Sequence, residues 1–508
     1  MTASASVARR SSGDSASRVV IVGIALVVAG VLGGQLVGTA AMSLNVFVVL
    51  IPAVPLYLVA VKRRPQVTLY LALACALLFE QATYEVGSHP GAFTANVPVF
   101  RSFGNGVVLL PIELILIVGV LVWLMKAALA GTLDRPRSAF SRALAAFLFL
   151  CLIGFVIGYS RGGDYNKALW EVRPFLLLAT TYFVARNVVK HRSALRTVMW
   201  LFVICTGFKA LLASYMFFSF ARAMNPRPES LLSHEDSLFF GILMVLTVGL
   251  WIYEQRGLLR RVATALLPFV IIAMMANSRR TAWPIVMIGL VALLVITWMT
   301  QPTKRRAVGP VMALLAVISA VYFPLFWNKT GGGTLSQPAR AVRSTVSPDP
   351  RDEASNEYRQ QENANLTFNI QQAGPLGKGF GIPINYALPI VDVSNIDPMI
   401  KFIPHNGGLW IWMRLGLQGE MAFWIMLGTA MIAACRLTRS ADAQVALLGA
   451  LTVSALIGYA LQGWEDMGFG NVRIGIVMGC LLGCVEAASR FSKDKETEES
   501  RPKELATT

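Results

Sequence analysis

Long, almost uncharged apolar runs recur along the whole chain and are separated by polar connections. Each run holds roughly 16–21 residues, about the length that a helix needs to cross a hydrocarbon core of about 30 Å. The clearest runs cover residues 19–39, 44–61, 107–123, 198–218, 238–253, 281–299 and 308–327. Shorter or more polar runs cover residues 69–79, 143–159, 175–185, 262–276, 417–434, 445–461 and 474–487. The pattern therefore predicts an all-α polytopic membrane protein with about fourteen transmembrane helices.

The spacing of these runs divides the chain into five regions. Residues 1–18 are a polar, basic tail, and the apolar run after it is too long for a cleaved signal peptide. A bundle of about eleven helices is expected over residues 19–327, and about three more over residues 405–489. One long loop, 328–404, separates them. The charged tail at 490–508 has the composition of a disordered segment.

The distribution of charge predicts which connections face which side of the membrane. Only 14% of the 508 residues are charged, and the formal net charge is +17. Basic residues concentrate in alternate connections, beginning with Lys62, Arg63 and Arg64, whereas the intervening connections balance acids and bases. This positive-inside pattern predicts that both termini face the cytoplasm and that the long loop faces outward. It disfavours nucleic-acid binding, which would need a basic patch on a soluble module.

The long outward loop contains two segments with distinct patterns. Residues 352–373 are polar and compatible with a helix, on which Arg359, Asn363, Leu366, Ile370 and Ala373 share one face by their spacing. Residues 374–381 read GPLGKGFG, which predicts a tight turn shaped by glycine. A helix that covers a pocket or lies on the membrane, followed by a tight turn, is expected here.

Five basic residues are placed by this topology at or near the outer surface. Arg173 precedes an apolar run, Arg279 and Arg280 lie in a turn with almost no loop, Arg359 lies on the polar helix, and His405 lies where the loop re-enters the membrane. Ionisable groups near the membrane are candidates for functional sites. Arg173 could instead be an interfacial anchor, and Arg359 an ordinary solvated charge.

These side chains suit one kind of chemistry. The guanidinium fork pairs bidentately with phosphate oxygens, so outward arginines at the membrane surface fit a lipid-linked phosphate or diphosphate. A neutral imidazole such as that of His405 could accept a proton from an attacking hydroxyl. Deprotonation of an acceptor and stabilisation of a departing diphosphate together describe glycosyl transfer from an already activated lipid carrier.

Four motifs resemble those of the bacterial O-antigen ligase and O-antigen polymerase superfamily. Residues 405–409, HNGGL, and 415–419, LGLQG, are similar to its HN-x-x-L…LG-x-x-G segment. Residues 374–381 resemble its P-L-x-G-x-G-x-G turn, and 278–283, SRRTAW, resemble its SRG-x-W motif, with Arg280 in place of glycine. Arg359 matches an arginine in the helix before the glycine turn. Arg173 followed by proline is similar to a less specific arginine at a helix start.

The resemblance implies a membrane glycosyltransferase that acts on undecaprenyl diphosphate at the periplasmic or outer face of the cytoplasmic membrane. It also implies an inverting, metal-independent reaction without a cofactor, with a glycan, lipid or protein as acceptor. By the same resemblance His405 activates or orients the acceptor hydroxyl, while Arg279 and Arg359 bind the diphosphate. Asn406 and Arg173 are expected near substrate. The departure at Arg280 leaves open which arginine of the pair contacts phosphate.

Further candidates for substrate binding are Lys209, inside an apolar run, Glu235 and Asp236 at a helix start, and Glu465 in the last outer turn. Lys209 could instead snorkel outward, Glu235 and Asp236 could cap a helix, and Glu465 could belong to an interfacial belt. Two rival functions stay open, a transporter or flippase of lipid-linked glycan and a non-catalytic assembly partner. Ligase and polymerase are not separated by the sequence, because they would share donor chemistry and differ in the acceptor.

Overall fold

The structure is a computed structural model that describes residues 55–500, apart from gaps at 83–84, 87–88, 103–108, 132–137, 225–227, 229, 254–256, 330–333, 345 and 392–398. The predicted span 19–39 and most of the span 44–61 lie outside the described residues, although residues 55–63 are helical. The predicted tail 1–18, the glycine run 331–333 and residues 501–508 also lie outside them.

The described chain is almost entirely helical. Its helices are, in chain order, α1 (Gln66–Leu78), α2 (Pro111–Leu129), α3 (Ala139–Ser160), α4 (Tyr165–Val188), α5 (Arg192–Ser219), α6 (His234–Ile252), α7 (Leu258–Ala276), α8 (Ala282–Thr300), α9 (Arg305–Phe326), α10 (Gln337–Arg343), α11 (Pro350–Ala373), α12 (Gly407–Leu437), α13 (Ala443–Glu465) and α14 (Val472–Ser500). Two short strands, β1 (Glu85–Val86) and β2 (His89–Pro90), pair antiparallel between α1 and α2.

Ten of the helices in the described part of the chain are long and apolar enough to cross a membrane. They account for ten of the fourteen predicted spans. Two other predicted spans correspond to helices that fall short of this description: α1 has only 13 residues, and α4 includes charged residues in its first half. The remaining two are those that begin at residues 19 and 44. A multi-pass helical membrane protein is therefore the fold class.

The connections between helices gather at two ends of the bundle. At one end Arg192, the first residue of α5, pairs with Asp442, directly before α13, at 2.5 Å. There Gln301, after α8, donates to the carbonyl of Thr438 at 2.6 Å. These connections belong to the basic set that the sequence predicts to face the cytoplasm. The connections of the other set meet at the opposite end, where the candidate site lies.

Glycines on α14 allow this helix to pack closely on α4. Gly475, Gly479 and Gly483 recur at every fourth position, and a Cβ at each would lie 2.3–2.6 Å from a carbonyl oxygen of α4. Small residues at this spacing let two membrane helices approach backbone to backbone. The contact fixes α4, whose Glu171 supports the loop that follows α11.

The glycine-rich turn after α11 is wedged between α3 and α12. Gly377, Gly379 and Gly381 have φ of 78°, 85° and 80°, a region that favours glycine. A Cβ on Gly379 would lie 2.3 Å from the backbone nitrogen of Gly158 on α3, so side chains are excluded by both conformation and space. The predicted tight turn is therefore present, and glycine is required at its centre.

A buried ion pair holds this turn against the helices. The Arg414 guanidinium on α12 donates to Glu171 on α4 at 2.6 Å and to the carbonyls of Gly379 and Ile382 at 3.1 and 2.6 Å. Glu171 in turn accepts the backbone N–H of Gly381 at 2.6 Å. Because both charges are fully buried, each needs the other and the surrounding dipoles. Sequence reasoning identified neither residue.

Two asparagines of α11 hold the segment that follows the turn. Asn365 exchanges two hydrogen bonds with the backbone of Leu388, and Asn369 does the same with Asn385. Lys378 donates to the side chain of Asn369 at 2.7 Å, and burial, with the nearby Arg414, lowers the pKa of Lys378 to about 8. The long loop is thus folded back onto its own helix.

The last helix extends into the charged tail. The composition of residues 490–508 predicts a disordered segment; of these residues the structure describes 490–500, which continue α14 to Ser500. Lysine and glutamate dominate this stretch and are good helix formers, so a helix already begun in the bundle can propagate through it.

Candidate functional site

A cavity of about 240 Å³ opens beside the N-terminus of α12, at the end of the bundle opposite the basic connections. Its lining comes from α11, the start of α12 and the end of α13, and consists of Asn356, Arg359, Gln360, Glu362, Asn363, His405, Asn406, Trp464 and Glu465. Every lining side chain can form hydrogen bonds. Such a lining suits a polar ligand with many hydroxyl or phosphate oxygens.

His405 and Glu362 form an imidazole–carboxylate pair in this cavity. The Nδ1 atom of His405 lies 3.2 Å from each carboxylate oxygen of Glu362, and the His405 backbone N–H donates to the same carboxylate at 3.1 Å. The Tyr358 ring meets the imidazole edge to face at 5.8 Å. A carboxylate at Nδ1 orients the ring and favours the tautomer whose Nε2 is an acceptor.

Arg359 faces the cavity from one turn earlier on α11. Its Nη1 atom donates to Glu465 at 2.9 Å, and the Arg359 and Glu465 side chains are 26% and 46% exposed. An ion pair with this exposure is worth about 0.2–1 kcal/mol. Arg359 can therefore exchange Glu465 for a phosphate at little cost.

Arg279 reaches the same region through His234 and Asp466. The Arg279 guanidinium contacts Nε2 of His234, and Nδ1 of His234 lies 3.2 Å from Asp466. Burial raises the pKa of Asp466, but His234, Arg279 and Arg359 outweigh it and hold that pKa below its ordinary value. Arg279 and Arg359 are therefore both within electrostatic range of the Asp466 carboxylate.

Arg280 points to α11 rather than to His234. It donates to Ser355 and Asn356 at 2.8 and 3.3 Å and lies 3.4 Å from a carboxylate oxygen of Asp352. Burial lowers the pKa of Arg280, an effect that Asp352 opposes and that Arg359 reinforces. Arg280 thus supports the wall of the cavity from behind Asn356.

The structure brings together most of the residues that the motifs predict. Arg359, His405, Asn406 and Glu465 line one cavity, and Arg279 is linked to its edge. Asn406 also caps α12 by accepting the backbone N–H of Leu409 at 3.0 Å, which explains an asparagine directly after the histidine.

Arg173 is not among the residues that line the cavity. Arg173 belongs to α4. Its guanidinium lies 2.6 Å from Glu113 of α2 and 4.3 Å from the centre of the Trp170 ring. Its side chain is fully buried. Pairing with Glu113 gives the Arg173 charge a structural explanation.

Lys209, Glu235 and Asp236 also lie away from the cavity, in a buried network of charges. Lys209 contacts Glu80 and lies 3.4 Å from Asp236. Arg473 of α14 pairs with Glu235 at 2.9 Å and with Asp236 at 2.6 Å. Opposite charges here neutralise one another inside the bundle, so each member has a structural explanation.

Removal of Arg473 is expected to destabilise the fold. Arg473→Met would leave Glu235 and Asp236 buried without their guanidinium, which costs about 3–5 kcal/mol. The unfolding midpoint of the detergent-solubilised protein should fall clearly below that of the parent. Arg261→Met, at an exposed arginine, is the matched control and should leave it unchanged. Equal midpoints for Arg473→Met and the parent would contradict a structural role for the network.

Sequence reasoning missed Glu362 and underestimated His234. Glu362 lies three residues after Arg359 and so beside the helix face that the sequence predicts through Arg359 and Asn363, but the predicted set does not include it. His234 directly precedes Glu235 and Asp236, the two acids that the sequence predicts at a helix start. A polar residue three or four positions from Arg359 on that face was the available signal for Glu362.

The fold and the site together define a multi-pass helical membrane protein with a polar, hydrogen-bonding cavity at one end of its helices. Residues 263–424 match the family model described as O-antigen ligase. The match runs from α7 into α12, includes Arg279, Arg359 and His405, and confirms the resemblance that the motifs indicate. It supports a glycan-transferring role in surface polysaccharide assembly. No curated protein matches the chain.

Proposed function

We propose that this protein transfers glycan from a polyprenyl-diphosphate carrier to an acceptor hydroxyl at the outer face of the cytoplasmic membrane. The observation that carries the proposal is the single cavity in which the His405–Glu362 pair and the Arg359 guanidinium face the same space. A base for the acceptor and a cation for the leaving group are the two elements that the reaction needs.

His405 acts on the acceptor. With its Nδ1–H donated to Glu362, the imidazole accepts the hydroxyl proton at Nε2 while the acceptor oxygen bonds to the anomeric carbon. Glu362 stabilises the imidazolium that forms, as a carboxylate does in a catalytic triad. Attack from the side opposite the diphosphate inverts the anomeric centre, as the family resemblance implies.

Arg359 and Arg279 act on the donor. As the bond from the anomeric carbon to the diphosphate oxygen breaks, its electron pair moves to the diphosphate, where charge accumulates. Guanidiniums that already surround this position stabilise that charge without rearrangement of solvent. Arg359 can exchange Glu465 for the diphosphate because that ion pair is partly exposed and weak.

The remaining lining residues suit the sugar. Asn356, Gln360 and Asn363 offer amide donors and acceptors for hydroxyl groups, and Trp464, 47% exposed, offers an apolar ring face. The same cavity serves a ligase or a polymerase, which differ in the acceptor that enters it.

Reconstitution of the full chain tests the proposal. Liposomes would contain the protein, an undecaprenyl-diphosphate oligosaccharide and candidate acceptors, either a second lipid-linked glycan or a different lipid. Mass spectrometry should detect glycosylated acceptor together with free undecaprenyl diphosphate. Movement of the intact carrier across the bilayer without any glycosidic product would instead support a flippase and contradict the transferase.

A further inference from the structure

A second imidazole–carboxylate pair lies at the edge of the cavity. His234, at the start of α6, places Nδ1 3.2 Å from Asp466 and Nε2 against the guanidinium of Arg279. Asp466 directly follows Glu465, which lines the cavity, and its other carboxylate oxygen accepts a hydrogen bond from Gln462 at 3.2 Å. The pair therefore joins two outer connections of the bundle, those at Arg279 and at Asp466.

The chemistry of arginine fixes the protonation of His234. A guanidinium has donors only, so the nitrogen that faces Arg279 must be the acceptor. The proton of neutral His234 then lies on Nδ1 and is donated to Asp466. Because the Asp466 side chain is only 6% exposed, it holds the ring in one orientation and one tautomer.

An imidazole acceptor differs from a carboxylate in what it does to the arginine. A carboxylate in contact with Arg279 would form an ion pair and compete with phosphate for the guanidinium. In the His234 contact the Arg279 guanidinium donates a hydrogen bond to a neutral ring, and this bond orients the guanidinium. The imidazole ring of His234 lies between the negative charge of Asp466 and Arg279.

We propose that His234, fixed by Asp466, is a positioning residue that holds the Arg279 guanidinium ready for the diphosphate of the lipid-linked donor. This inference rests on the proposed function and adds to it a residue that acts on the donor and not on the acceptor. In this proposal the Glu465 carboxylate contacts Arg359, and the His234 imidazole positions Arg279 for the diphosphate.

The test is a double-mutant cycle on the transfer reaction of the reconstituted protein. His234→Ala should raise the KM for the undecaprenyl-diphosphate donor about tenfold, the loss expected for a hydrogen bond to a charged group, and leave the acceptor KM unchanged. His234→Gln keeps an oxygen acceptor and should recover part of this loss. In an Arg279→Ala background, His234→Ala should change the donor KM by less than about twofold, because its effect passes through Arg279.

Control variants distinguish failure of this inference from failure of the proposed function. His191→Ala, at an exposed histidine before α5, should leave both KM values unchanged. Asp466→Asn should reproduce part of the donor effect and serves, with His234→Gln, if His234→Ala does not fold. Equal effects of His234→Ala with and without Arg279, or an unchanged donor KM, would overturn the inference while transfer by the parent persists. Absence of transfer by the folded parent would instead overturn the proposed function.

Discussion

His405→Ala is expected to lower the rate of glycan transfer by about 10²–10⁴-fold, the usual contribution of a positioned general base. The loss should fall on kcat, because the imidazole acts on the acceptor proton in the transition state and contributes little to donor binding. The measurement is the initial rate of glycosylated acceptor in the reconstituted system. Thermal unfolding of the variant serves as its control for folding.

Glu362→Gln distinguishes the role of His405 as the base from the role of the Glu362 carboxylate that orients it. The amide retains an oxygen that can accept Nδ1–H, but it lacks the negative charge that stabilises the imidazolium. We therefore expect a smaller loss of kcat than for His405→Ala, and nearly no additional loss when the two are combined. Normal turnover by His405→Ala would exclude this histidine as the base and leave the Glu362 carboxylate as the nearest candidate.

Most helices could be predicted from the sequence because each span must be apolar and long enough to cross the hydrocarbon core of the bilayer. The limits of that reasoning are visible at α4, where the predicted run starts at residue 175 and the helix starts at Tyr165. Its first ten residues include the charged Lys167, Glu171 and Arg173. Glu171 and Arg173 are tolerated in a buried helix because α2, α12 and the glycine turn supply partners that the sequence does not display.

The candidate site was predicted in its motifs but not in its pairings. Arg359 and His405 carry recognisable surroundings, and the structure brings them to one cavity. Lys209 and Arg173 were selected by the same reasoning, that charge near a membrane is costly, yet the structure pairs them with Glu80 and Glu113. The free-energy cost of burying a charge is the same for a functional residue and for one that is neutralised by a structural partner. Only the position of the partner distinguishes the two.

Arg359→Ala is expected to lower kcat/KM for the donor by about 10²–10³-fold, as the loss of one donor to a developing anion does in other enzymes. Arg359→Lys keeps the charge but loses the planar fork, so its activity should lie between those of the parent and the alanine variant. Arg280→Ala is the neighbouring comparison, since Arg280 contacts Ser355 and Asn356 behind the cavity wall and a smaller loss is expected.

Glu465→Gln should act in the opposite direction on donor binding. Glu465 is the carboxylate that Arg359 contacts, at 2.9 Å, and its removal frees the guanidinium for phosphate. Because exposed ion pairs contribute about 0.2–1 kcal/mol, the donor KM should fall by about two- to fivefold, with kcat nearly unchanged. A loss of donor affinity in Glu465→Gln would mean that Glu465 binds the sugar directly. A parent-like rate in Arg359→Ala would contradict a role of Arg359 at the leaving group. Measured together, the two variants separate competition for the guanidinium from direct recognition of the glycan.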